Sequence, residues 1–280
     1  MIGLGSNRLS VCRRGGMSVT QAGRGGMEWL AGGRRPSWAS PYSAQATAAL
    51  KDAFTAAQWP TIRDYGFAHP EIVPYVNDEP DVIMSIMTLD TIRCLKNSNT
   101  AYIQLDYVVG LEDEIEVEFL TDASNTPASI CGAGGSTWLD GLCIVTKSGG
   151  GKYYAAFGSQ SMTDAEYLTA SGLLRAVINK SSLTYWQNGE QIFTKAITPT
   201  TFTPYKFTTF GNARGSNTNI ATHYNGSIKR IYIKRNGEYI YQLIPKTVNG
   251  ESGWLNMVDG SMLYKTGGSG SFTISETPAS

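Results

Sequence analysis

The chain has 280 residues, sets 23 Lys and Arg against 23 Asp and Glu for a formal net charge of +0, and is 41% hydrophobic but only 16% charged. That composition excludes a disordered chain and a protein whose whole surface grips nucleic acid, and it leaves room for one large core plus a smaller appendage. No apolar run approaches the ~20 residues of a membrane-spanning helix, and the opening Met1 to Arg8 turns polar too soon for a secretory signal, so a soluble, unexported protein is expected.

The first stretch, to about residue 39, is glycine-rich and basic. Arg8, Arg13, Arg14, Arg24, Arg34 and Arg35 face one acid, Glu28, and the pairs Gly15-Gly16, Gly25-Gly26 and Gly32-Gly33 sit close to arginines. So glycine-rich a leader does not order itself. Met17, Met27, Trp29 and Trp38 are nevertheless costly to leave in water, which favours docking on a partner over a free tail. The expected docking set is Arg13, Arg14, Met17, Arg24, Met27, Trp29 and Trp38, in a groove on another protein. Arg-Gly tails also bind nucleic acid, but the embedded tryptophans and methionines speak against it.

Ser40-Pro41 then opens a helix in which Ala46, Leu50, Phe54 and Ala57 recur at helical spacing, with Trp59-Pro60 read as its end. Thr61 to Pro80 carries Pro70, Pro74 and Pro80 among Tyr65, Phe67 and Tyr75, and reads as an extended, aromatic-anchored connector. Residues 1 to 97 form the front module on this reading.

From Val82 the pattern is strands and turns. Ala101 to Val109 alternates, and Glu114-Ile115-Glu116-Val117-Glu118-Phe119 alternates strictly, which predicts apolar side chains on a core face and three solvated glutamates on the other. Leu142 to Thr146, Lys152 to Phe157, Leu173 to Asn179, Leu183 to Trp186, Gln191 to Thr194 and Tyr205 to Phe210 follow at short spacing. Ile228 to Arg235 meets Glu238 to Ile244 across Asn236-Gly237, and Asn188-Gly189 makes a similar turn; this dipeptide suits a two-residue hairpin loop with both residues at positive φ. Many short strands with little helix between them predict a mainly β chain, an antiparallel two-sheet sandwich or jelly roll over residues 98 to 280.

The order of pieces from Asn99-Thr100-Ala101-Tyr102-Ile103-Gln104-Leu105, through the glutamate strand, Leu183 to Gly189 and the Asn236-Gly237 pair, to Gly253-Trp254-Leu255-Asn256 and Phe272, resembles the laminin-G-like, concanavalin-A-like jelly roll. The front of the chain, Met1 to Arg8 through Trp59 to Tyr65, resembles the leading segment of virion-associated proteins of Bacteroidales phages, including the crAss-like group. Together these resemblances imply a phage tail, fibre or capsid-attached protein, assembled in the host cytoplasm and located in the virion. Its front would dock on other virion proteins, its jelly roll would adhere to a host surface glycan or a neighbouring subunit, and it would be a homo-oligomer following the particle's symmetry.

For chemistry, Glu114, Glu116 and Glu118 are similar to the E-x-D-x-E strand of jelly-roll glycosidases, where one carboxylate attacks the sugar and another, ~5 Å away in retaining enzymes, protonates the leaving oxygen. Glu116 stands where that pattern has aspartate, and the strand lies near the start of the domain, so a structural role is expected and no enzyme activity. The alternative is a jelly-roll glycoside hydrolase acting on bacterial polysaccharide through Glu114 and Glu118, and a purely structural decoration protein is a third reading. Ser148-Gly149-Gly150-Gly151-Lys152 lacks the upstream glycine and the hydroxyl residue of a phosphate loop and reads as a turn. His69 and His223 fit no triad.

Sugar binding needs an aromatic platform with clustered polar groups on loops. Trp138 and Asp140 in one segment, and Asn212, Arg214, Asn217 and Asn219 in another, meet that description. Trp138 serves equally well as an edge-packing residue, while Trp186 and Trp254 are read as core. Cys12, Cys94, Cys131 and Cys143 show no zinc spacing and are expected as free thiols, with Cys131 and Cys143 the only pair close enough to suspect a disulfide. No metal or cofactor is expected. A calcium site of the kind some laminin-G-like domains carry would draw on Asp140, Asp122 or Asn217, without any ordered ligand spacing to support it.

Overall fold

The structure is a computed structural model that describes residues 19–22, 26–29, 39–87, 89–121, 127–134, 141–147 and 152–278. Two mainly antiparallel sheets form a jelly-roll-like sandwich, with a small helical part ahead of it. In the smaller sheet the order runs Leu168–Thr169, Lys152–Phe157, Leu142–Lys147, Ala128–Ala133, Lys206–Thr209, Ile103–Val108. In the larger it runs Glu190–Ala196, Ser182–Gln187, Leu173–Asn179, Asp113–Leu120, Ser227–Arg235, Glu238–Val248, Glu251–Asn256, Met262–Leu263. The expected strands therefore form.

Alternation decides what lies between the sheets. Ile115, Val117 and Phe119 of one strand, Leu174, Ala176 and Ile178 of the next, and Ile231 and Ile233 beside them all join the buried cluster with Ile103, Leu105, Ile144 and Phe207 from the other sheet. The hairpins turn as the dipeptides require: Asn188 and Gly189 lie at φ 49° and 88°, Asn236 and Gly237 at 53° and 85°. Asn249-Gly250, at 52° and 83°, is a third of the same kind.

The front departs from expectation. The region read as an extended connector is helical, with Trp59–Ala68, Val73–Asp78 and Ile83–Ile86 following the first helix, Ala44–Ala53. Pro60 and Pro74 lie in the first turns of two of these helices, and Pro70 and Pro80 open short 3₁₀ turns. The absent N–H of proline is no loss in a first turn, so residues read as breakers here start helices.

These helices sit on the larger sheet, on the side away from the sandwich core. Leu50, Ile62, Val76 and Ile83 pack with Tyr232, Ile244, Leu255 and Met257 of the sheet, and Tyr75 Oη donates to the Met257 carbonyl at 2.8 Å. The result is three layers: helices, sheet, sheet. The strand Thr91–Asn97, which the sequence reading groups with the front, pairs with Ser227–Arg235 and with Phe272–Pro278 inside the larger sheet. Within the leader, Val19–Ala22 and Gly26–Trp29 form a hairpin that includes Met27 and Trp29, while Arg13, Arg14, Met17, Arg24 and Trp38 lie outside the described residues.

Candidate functional site

The described stems of the two segments singled out from composition lie side by side. Ala213 pairs in parallel with Ala133, at the end of Ala128–Ala133, and Asn212 Oδ1 accepts from Gly134 N at 2.7 Å just before the chain enters residues 135–140. Side-chain atoms at Gly132 and Gly134 would meet the Asn212 amide at 2.5 and 2.6 Å, so both must be glycine for the stems to close. Trp138 and Asp140 fall in that segment, outside the described residues, as do Asp122 and residues 148–151.

The second stem is strained. Besides three asparagines of Asn-Gly turns, the non-glycine residues at positive φ among those described are Phe210 at 60° and Thr222 at 55°, one on each side of the Asn212–Ala213 and Ile220–Ala221 ladder. A bulky and a β-branched residue in this region cost of order 1–3 kcal/mol each and persist only where packing over-determines them. Phe210 is wholly buried, stacked against Trp254 at 6.1 Å and Tyr224 at 6.3 Å and packed on Phe272 at 4.9 Å.

Between the strained residues the loop is fixed by its own bonds. Arg214 N donates to the Asn219 carbonyl at 2.8 Å, and Asn219 N to Ser216 Oγ at 3.1 Å. Asn217 Oδ1 accepts from Lys206 N at 2.7 Å, and its carbonyl from Gln104 Nε2 at 2.8 Å. Asn217, Thr218 and Asn219 are left exposed, Arg214 half-buried. Asn212 differs from the expectation of a displayed loop residue: it is 2% exposed and holds the stems together.

The glutamate strand lies elsewhere, on the outward face of the larger sheet, and its side chains are not solvated as expected. Glu118 is 6% exposed at the side chain, with Oε1 2.5 Å from Arg230 Nη2 and Oε2 2.9 Å from Lys229 Nζ. Glu116 is shared by Arg175 at 2.7 Å and Arg230 at 3.3 Å, and Glu114 takes Lys234 at 3.1 Å. A register shift between Ile228 and Arg230 is the device: the bulge sets Lys229, itself 0% exposed, next to Glu118 alongside Arg230. Burial pushes the Glu118 carboxyl up, but the charges of Arg230 and Lys229 outweigh it and hold the group below its ordinary value. For Lys229 burial dominates, and Glu118 only partly offsets the fall.

Other groups suited to catalysis are equally engaged or inert. Burial pushes the Cys94 thiol up to about 12 and Cys131 well above its usual range, so neither is a thiolate near neutral pH. Cys94 and Cys131 are free and buried, and Cys143 is buried. His69 stacks on Tyr65 at 4.2 Å and His223 on Tyr102 at 5.8 Å. Among the described residues no group of acids, histidines or cysteines could hold a metal ion, and no helix is long and apolar enough to cross a membrane. Of the tryptophans, Trp254 is core as expected; Trp186 is half-buried on the outward face, with the Arg175 guanidinium 4.7 Å from its ring centroid.

No protein-family model and no curated protein matches the chain. Among solved structures, mouse laminin α1 domains LG4-5 overlap 53% of this chain and 44% of theirs at 17% identity and a TM-score of 0.39. The Ruminococcus gnavus IT-sialidase CBM40 bound to α2,3 sialyllactose overlaps 52% of this chain and 91% of its own at 16% identity and 0.38. The heptameric SAP-like pentraxin of Limulus polyphemus overlaps 51% of this chain and 75% of its own at 5% identity and 0.38. Overlaps of this quality carry no information about ligand or activity.

Proposed function

We propose that the protein is a non-catalytic adhesin whose sandwich presents the loops at residues 134–141 and 213–220 to a surface glycan, while the leader fixes the molecule to a larger assembly. The observation that carries this is the shared stem at Asn212. It ties Gly134, which precedes the segment holding Trp138 and Asp140 in the sequence, to the strand that leads into a hydrogen-bonded platform of exposed residues around Asn217 and Asn219, and both segments have separate claims to sugar binding. A pre-ordered loop loses little entropy on binding, which suits weak, repeated contacts with sugar hydroxyls.

The non-enzymatic part of the proposal is supported by the glutamates. Each glutamate of the strand already has a cationic partner, and both oxygens of Glu118 are held in ion pairs with Lys229 and Arg230, which leaves neither available to attack a sugar or protonate a leaving group. The assembly we favour is a phage virion, with the arginine-and-glycine leader seated on neighbouring virion proteins and the copies arranged as a homo-oligomer. The resemblance of the leading segment supports this; the helical part takes no share in the docking, because its apolar face is used on its own sandwich.

Retention of bacterial surface polysaccharide by the full chain tests the reading. Trp138→Ala and the pair Asn217→Ala with Asn219→Ala are expected to weaken retention at least about tenfold, ~1.4 kcal/mol, with an unchanged melting temperature for Trp138→Ala. Undiminished retention in both variants, or none by the wild type, would refute it.

A further inference from the structure

A polar row crosses the outward face of the larger sheet. The strand registers set Arg230 opposite Glu118, Glu118 opposite Arg175, Arg175 opposite Trp186, and Trp186 opposite Gln191. At one end the helical layer covers it, with Arg230 Nη1 donating to the Ile86 carbonyl at 2.6 Å. At the other end lies a cavity of about 280 Å³ lined by Glu118, Leu173, Arg175, Trp186, Asn188 and Gly189.

The charges along the row do not cancel. Lys229, Arg230 and Arg175 face Glu116 and Glu118, and all four carboxylate oxygens are taken, by Arg230 and Lys229 on Glu118 and by Arg230 and Arg175 on Glu116. The surplus positive charge rests on Arg175, whose side chain is 39% exposed at the cavity. Its Nη2 is committed to Glu116 at 2.7 Å and its Nε is buried with no hydrogen-bond partner, so the guanidinium is incompletely satisfied. Beside it lie the half-buried Trp186 indole and, on the rim, the exposed Asn188-Gly189 turn.

A guanidinium with bonding capacity to spare selects an oxyanion, and an indole edge or face selects the apolar side of a ring. The volume suits one sugar ring, being below the ~300–1,000 Å³ of sites that enclose larger ligands. We propose that this cavity is a second carbohydrate subsite, specific for a carboxylated sugar of the uronic type, with Arg175 on the carboxylate, Trp186 against the ring and Asn188 at a hydroxyl. The subsite shares the carbohydrate reading of the loops but none of their residues.

The test is a titration of the ¹⁵N-labelled full chain with glucuronate and, separately, glucose, following the indole N–H resonance of Trp186, identified by its absence in Trp186→Phe. Glucuronate should shift that resonance saturably and glucose should not; Arg175→Gln should weaken the glucuronate effect at least about tenfold. Arg175→Lys, which keeps a cation for Glu116, should weaken it as well, separating loss of the fork from loss of the fold. No shift with glucuronate, an equal shift with glucose, or an undiminished shift in both Arg175 variants would overturn the proposal. Trp138→Ala leaves this shift intact even if it abolishes polysaccharide retention, so failure at the loops and failure here are told apart.

Discussion

Glu118→Gln is expected to cost about 3–5 kcal/mol of stability, because it leaves the wholly buried Lys229 ammonium without its carboxylate. Glu114→Gln, on the same strand but partnered near the surface, should cost only ~0–1 kcal/mol. Urea unfolding of the two variants reads the difference. A second comparison isolates the cause: Lys229→Met added to Glu118→Gln removes the stranded charge and should restore part of the loss, a non-additivity that a catalytic role for Glu118 does not produce. The pH dependence carries the same signature. Because the folded carboxyl is held below its ordinary value of 4.5, its contribution is complete above that value and is lost as the pH falls through the depressed one. Acid unfolding of Glu118→Gln should therefore lack that component of the wild-type slope. Equal costs at positions 114 and 118 would show that Lys229 and Glu118 are not paired in a buried setting.

The other large effect is expected at Trp254. Its side chain is 0% exposed, stacks on Phe210, and donates from Nε1 to Thr209 Oγ1 at 3.1 Å. Trp254→Ala should cost about 3–5 kcal/mol by loss of burial and the cavity left behind. The consequence for function follows from Phe210, whose unfavourable φ is held by the rings around it. With the indole gone, that turn can relax, and backbone amides from Phe210 to Ala221 should exchange with solvent faster relative to those of Ile231 and Ile233. Trp254→Phe, keeping an aromatic ring but losing the bond to Thr209, should cost less and leave the loop protected. If the loop exchanges identically in both variants, the strained stem is not what fixes it.

Strands were legible in the residues because alternation and Asn-Gly turns are local signals: Ile115, Val117 and Phe119 declare a core face without knowledge of the partner sheet, and the hairpin dipeptides fix their own dihedrals. The helices after Ala53 were not, since Pro60, Pro70, Pro74 and Pro80 carry the same letter whether they stop a helix or start one, and what decides is an apolar face, such as Ile62, Val76 and Ile83, finding the sheet. At the sites the divide is similar. Composition picked out the loops that meet at Asn212, but that Asn212 is their hinge pin depends on contact with Gly134, 78 residues away. The glutamates read as solvated because nothing local announces the bulge that sets Lys229 beside Glu118. Trp186 looked like core because its pairing with Arg175 exists only in the sheet register.

On the proposed function, this molecule holds a polysaccharide and does not cut it. Prolonged incubation of the full chain with bacterial surface polysaccharide that it retains, followed by assay of new reducing ends, tests this directly. The polysaccharide is expected to stay bound at its original length; reducing ends that accumulate in proportion to the protein added would contradict the account.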